Sequence, residues 1–249
     1  FAHGFFGTRK DVSFGPNLQG ASMLNTIMVG IDWWGMSTPD QQPVTDDFVK
    51  QPYKVLRFTD RVHQAMANWM TVRHALRTAF TKSDFLNFAP DATAPEKKEL
   101  MYDKDHIYFV GGSQGHILGG VLAALDTHVE RYVLNVGGAG FGHMLVRAGP
   151  FKLFEGAMNQ LLVKDSYHKA KLSAVIQPYF DRIDPATYAP FVLKRPLEGS
   201  PKDRQVLLQI GIGDNQVPNV ASYIHARTLG IGVTTPSPIK VFGVPEIAA

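Results

Sequence analysis

Apolar residues follow two spacings along this chain, and each change of spacing marks a boundary between elements. Between Val55 and Phe80 they recur at helical intervals, at Val62, Met66, Trp69, Met70, Val72 and Leu76, which predicts one long amphipathic helix. Continuous apolar runs of strand length stand at Thr26 to Ile31, Ile107 to Val110, Arg131 to Val136, Gln205 to Ile210 and Ile239 to Val244. Such runs, rich in β-favouring residues and bounded by Gly, predict strands buried on both faces of a parallel sheet. Helical stretches are expected at Pro16 to Leu24, at Gly115 to Leu125 and over 219–229. Strands alternating with helices on short links define an α/β fold with a doubly wound, mostly parallel sheet. Residues 141–200 interrupt that rhythm with an aromatic-rich and Met-rich helical pattern, read as an inserted cap or as a plain helical subdomain. The chain then divides into 1–140, the first part of the core, 141–200, the cap, and 201–249, the second part of the core.

One boundary carries chemistry. Tyr108-Phe109-Val110 ends at Gly111-Gly112-Ser113-Gln114-Gly115, and a small-residue helix follows at once. The pattern is G-x-S-x-G between a strand and a helix, which holds a serine at the tip of a sharp turn. Residues two positions either side of that serine crowd each other, so Gly111 and Gly115 suit the two places. A new helix also presents free N–H groups at its start, and that of Gln114 is placed to hold an oxyanion forming beside Ser113. The pattern alternatively marks a Gly-rich turn.

Composition narrows the setting without naming a partner. The chain has 249 residues, 45% of them hydrophobic, enough for a full core. A net charge of +3 is spread over mixed signs without a basic run, which argues against nucleic-acid binding. No apolar run reaches the ~20 residues that span a bilayer. The absence of Cys excludes disulfides, thiolate metal sites and a cysteine nucleophile. No segment reveals a cellular address.

Taken together, His3-Gly4, Gly111-Gly112-Ser113-Gln114-Gly115 and Gly213-Asp214 resemble the α/β-hydrolase superfamily in its lipase and esterase branch. The run through Ala124-Leu125-Asp126 and Gly137-Gly138, with Asp181-Arg182-Ile183-Asp184-Pro185, is similar to a group of bacterial hydrolases. The resemblance implies an α/β-hydrolase-type sheet, Ser113 as nucleophile and Asp214 as the acid that orients a histidine. It also implies Phe5 N–H as the second oxyanion donor, with His3 holding its loop. Asp214 could instead cap the helix that follows it. No cofactor or metal is required, and the expected partner is a small-molecule ester or lipid.

Substrate contacts are expected from Trp33, alternatively a packing aromatic, and from the cap residues Phe141, Met144, Phe151, Phe154 and Met158. His63 and His74 read as surface or interface residues. His143 and His168 lack a distinguishing neighbour, and His116 lacks an acidic orienter and could tune the pocket more readily than serve as base. His225 lies three turns along a helix running away from the strand end, and the base is expected after the last strand, outside this chain. Early strands are likewise expected upstream of Phe1. The rival reading is a noncatalytic protein of the same fold that binds a ligand in its cleft.

Overall fold

A computed structural model describes residues 1–54, 56–152, 156, 159 and 165–248, without the side chains of Val49 and Pro52. The protein is mixed α/β. Three parallel strands, β3 (Phe109–Gly112), β4 (Arg131–Asn135) and β5 (Gln205–Gln209), lie side by side in that order. Two small pairs complete the described strands: β1 (Asn87–Phe88) with β2 (Glu99–Leu100), and β6 (Val233–Thr235) with β7 (Glu246–Ala248). The described α-helices are α1 (Gly15–Met23), α2 (Gln41–Lys50), α3 (Arg57–Arg77), α4 (Gln114–Leu125), α5 (Phe141–Leu145), α6 (Ser166–Phe180), α7 (Pro185–Tyr188) and α8 (Asn219–Leu229).

Helix α3 obeys its periodicity, burying Phe58, Val62, Ala65 and Met66 along one stripe. Helix α4 is apolar all round and buried from Gln114 to Ala124, as a central helix must be. Its carboxyl end is fixed by the buried Arg204, whose guanidinium donates to the carbonyls of Ala123 at 2.7 Å, Asp126 at 2.7 Å and Val129 at 3.2 Å. Those acceptors are orphan carbonyls at and just past a helix end, so one planar cation satisfies what the helix leaves open.

Two expected strands are absent. Thr26 to Ile31 forms no ladder: Ile27 is exposed, and the Val29 carbonyl instead accepts from the Phe1 amino group at 2.7 Å. Ile239 to Val244 is a turn between β6 and β7 rather than a strand. An apolar run needs a neighbouring strand edge to become a strand, and neither run meets one here. Strand β5 was expected to be buried, but it is outermost of the three and Leu207 is half exposed.

Residues 141–200 contain helices at 141–145, 149–151 and between 166 and 191, with turns and irregular chain at 192–200, and their side chains join the common core, among them Phe141, Phe180, Ile183 and Val192. Helix α7 packs on α4 and α8. Asp184, fully buried, accepts from the backbone N–H groups of Gly140, Phe141 and Ala186 and from Gln177, tying α5, α6 and α7 to one carboxylate. Phe154 and Met158 lie outside the described residues.

The crossing of β3, α4 and the N-terminal segment leaves no room for side chains. A Cβ on Gly111 would stand 2.3 Å from the Gly115 carbonyl oxygen, and one on Gly115 would stand 2.2 Å from that of Ala2, whereas one on Gly112 would meet nothing within 4 Å. Gly111→Ala and Gly115→Ala should each destabilise the protein by about 1–3 kcal/mol or more, because backbone cannot yield as a side chain can. Gly112→Ala should be close to neutral. Urea unfolding of the three variants checks this, and equal midpoints would contradict the close approach.

Candidate active site

Ser113 occupies the turn between β3 and α4 with φ 55° and ψ −116°. A non-glycine residue there is strained, and such strain concentrates at functional sites. Its N–H donates to the Asn135 carbonyl at 2.8 Å, which ties the turn to the end of β4. Phe6, at φ 49°, and Val136, at φ 46°, are the other strained residues nearby.

The N-terminal segment lies along β3. Ala2 pairs in parallel with Gly111, and the chain then turns beside the serine, so that a Cβ on Gly4 would come within 3.7 Å of Ser113 Cβ. Buried His3 holds this loop: its Nε2 accepts the Trp33 N–H at 2.9 Å, and its Nδ1 therefore carries the proton donated to the Gly4 carbonyl at 2.8 Å. Burial lowers the His3 pKa, which suits this neutral bracing role. Among the described residues, neither the Phe5 N–H nor the Gln114 N–H has a hydrogen-bond partner. Gln114 follows Ser113 in the chain, and Phe5 lines the same cleft as Ser113.

Asp214 reaches the same place from the loop after β5. An open cleft of about 490 Å³ is lined by Phe5, Ser113, Val136, Pro150, Asp214 and Gln216. Asp214 Oδ1 accepts the N–H groups of Gln216 at 2.7 Å and Val217 at 3.1 Å, fixing the side chain, while Oδ2 has no described partner. Asn219 braces the loop from α8, accepting the Gly213 N–H at 2.8 Å and donating to the Gly211 carbonyl at 2.7 Å. Asp214 thus holds its own turn while facing the serine's cleft.

No described histidine lines that cleft. His116 turns away from it into the core, where its Nδ1 accepts the Gly137 N–H at 2.9 Å. Its Nε2 must then be the protonated nitrogen, donating to His225 Nδ1 at 2.9 Å. His225 is left with a buried Nε2–H that has no described partner. His143 accepts from Arg147 at 3.3 Å, His168 pairs with Asp165, and His63 bridges α3 to Arg182, accepting its Nη2 at 3.0 Å and donating to its carbonyl at 2.7 Å.

The residues expected to touch substrate are placed unevenly. Trp33 is fully buried with its ring 5.0 Å from that of Trp69, a core position away from the cleft. Phe141 stacks on Phe180 at 5.2 Å and lines a small apolar pocket with Phe5 and Phe151 rather than the open cleft, and Met144 is fully buried. Phe151 packs edge-on against Phe5 at 5.3 Å, immediately behind the cleft wall. Gln216, from the loop that carries Asp214, also lines the cleft, as do Pro150 and Val136, which carried no signal in the sequence beyond the Gly pair after Val136. Among the described residues no cluster could hold a metal ion, and no helix is long and apolar enough to cross a membrane. Comparison of the chain with models of protein families, with curated proteins and with solved structures finds no match.

The buried imidazoles make stability depend on pH. Burial holds His225 down to about 3 and, with His225 beside it, keeps His116 well below the usual imidazole value. The unfolded chain returns both to about 6.5. Between those limits unfolding takes up protons that the folded state refuses, so stability is full above pH ~6.5 and falls as pH drops. His225 alone should remove roughly 2 kcal/mol between pH 7 and pH 5. Thermal unfolding across that range should show a shallower pH dependence in His225→Gln than in the parent protein, and parallel curves would contradict the burial of a neutral imidazole.

Proposed function

We propose that this protein is a serine hydrolase acting on carboxylic esters, with Ser113 as nucleophile and an α/β-hydrolase-type arrangement of its core. The observation that carries the reading is the strained serine at a strand-to-helix turn, sharing its cleft with Phe5, while the Phe5 and Gln114 N–H groups have no partner among the described residues. Three parallel strands with the nucleophile after the first and the acid after the third fit the same arrangement. In this reading Ser113 Oγ attacks the ester carbonyl and its proton passes to a base. The carbonyl oxygen becomes an oxyanion and takes hydrogen bonds from the Phe5 and Gln114 N–H groups, at the positive end of α4. Collapse of the intermediate expels the alcohol, and water later attacks the acyl-serine by the same route. Asp214 Oδ2, the oxygen without a partner among the described residues, would orient the base that takes the Ser113 proton. The Phe5, Val136 and Pro150 side chains supply an apolar wall suited to an ester or lipid substrate.

A second reading, a noncatalytic protein that binds a ligand in this cleft, is favoured by one observation: no described histidine reaches Ser113 or Asp214. A fluorophosphonate probe separates the two. Stoichiometric labelling that disappears in Ser113→Ala is expected of the hydrolase, and Asp214→Asn should lower ester turnover by about 10³- to 10⁴-fold. A folded protein that the probe leaves unmodified, or labelling that persists in Ser113→Ala, would favour the binding protein.

A further inference from the structure

We propose that His116 and Ser222 are positioning residues that clamp the two peptides on either side of Gly137 and so fix Val136 as a size-selecting wall of the Ser113 cleft. This rests on the serine-hydrolase reading and adds to it the residue that selects among acyl groups.

Position 136 is tied to its neighbours on both sides. The preceding Asn135 carbonyl takes the Ser113 N–H at 2.8 Å, and the Val136 N–H donates to the Gln209 carbonyl at 2.8 Å, so the residue sits where β3, β4 and β5 all end. Its φ of 46° is one that a β-branched residue resists and a glycine adopts freely. Glycine at 136 would satisfy the backbone, so the cost of valine there is explained by what its side chain does. That side chain lines the cleft with Ser113, and its Cγ1 lies 3.5 Å from where a Cβ on Gly211 would stand. Val136 therefore fills the space between the nucleophile turn and the loop that carries Asp214.

The next peptide keeps Val136 from relaxing. Gly137 N–H donates to His116 Nδ1 at 2.9 Å, and the Gly137 carbonyl accepts Ser222 Oγ–H at 2.6 Å. Both partners are buried, and His225 fixes the His116 tautomer by accepting its Nε2–H. Contact on this segment is equally close. A Cβ at 137 would stand 2.4 Å from the His116 ring, and one at 138 would stand 2.4 Å from the Ala221 backbone. The His116 bond fixes the Val136–Gly137 peptide, and with it ψ at 136, and the Ser222 bond fixes the Gly137–Gly138 peptide. From the other side, φ at 136 is held by the bonds of the Asn135–Val136 peptide to Ser113 and Gln209.

The experiment has two arms. In the first, Ser113 is labelled with a methyl phosphonate probe and a bulky branched one. Val136→Gly should raise the bulky-to-small rate ratio by roughly tenfold while leaving thermal stability undiminished. In the second, the Val136 methyl resonances should shift in His116→Leu, which removes the acceptor, and return in His116→Asn, whose side-chain oxygen replaces Nδ1. Ser222→Ala, a milder change, should shift them in the same way and serves if His116→Leu does not fold. An unchanged rate ratio overturns the wall, and unmoved methyl resonances in both His116→Leu and Ser222→Ala overturn the clamp. Failure of both probes to label the parent protein at all would overturn the nucleophile and the selectivity with it, while the methyl resonances still decide the clamp.

Discussion

The structure depends on one steric constraint: three stretches of backbone meet at the serine turn with no side chain between them. Strand β3, the first turn of α4 and the N-terminal segment at Ala2 approach so closely that a single added methyl at Gly111 or Gly115 would overlap a carbonyl. At that approach Ser113 adopts its strained conformation, with the loop that carries Phe5 alongside it. The two N–H groups left unpartnered there follow from the geometry, since a helix cannot satisfy its own first donors and the 3–7 loop turns away from β3 before Phe5 can pair. In the serine-hydrolase reading, such a preorganised pair of donors would require no rearrangement when negative charge develops.

Buried polar groups hold this constraint from behind. Arg204 anchors the far end of α4, Asp184 gathers α5, α6 and α7, and the His116–His225 pair joins α4 to α8 beneath Gly137. Each is nearly or fully removed from solvent. Leaving a buried donor or acceptor unpaired costs about 1–3 kcal/mol, so these networks specify how the helices dock as well as adding to stability. Only the His225 Nε2–H remains unpaired among their ring nitrogens, a cost accepted where α4, α7 and α8 pack most closely.

Local sequence foretold what local forces decide. The turn at Ser113, the helices α3, α4 and α8, and the strands β4 and β5 follow from periodicity and punctuation within a single segment. Asp214 and Phe5 were legible as neighbours of Ser113 through the resemblance, and both line its cleft. What depends on distant partners was not legible. Thr26 to Ile31 has the composition of a strand but no edge to pair with, and Trp33, Phe141 and Met144 have the composition of a ligand pocket but pack into the core. His116 and His225 stand far apart in the chain, and no spacing rule relates them. Val136 was visible only as the end of a strand and Gly137 only as half of a Gly pair, because their conformation is imposed by side chains on two helices.

The central claim is that the Phe5 and Gln114 N–H groups are an oxyanion site built around Ser113. A crystal structure of the protein after reaction with a small phosphonate tests it directly. The account predicts phosphorus bonded to Ser113 Oγ, with the phosphonyl oxygen within about 3 Å of both nitrogens and Val136 still at positive φ. An adduct on another residue, or a phosphonyl oxygen turned to solvent with both N–H groups unengaged, would contradict it.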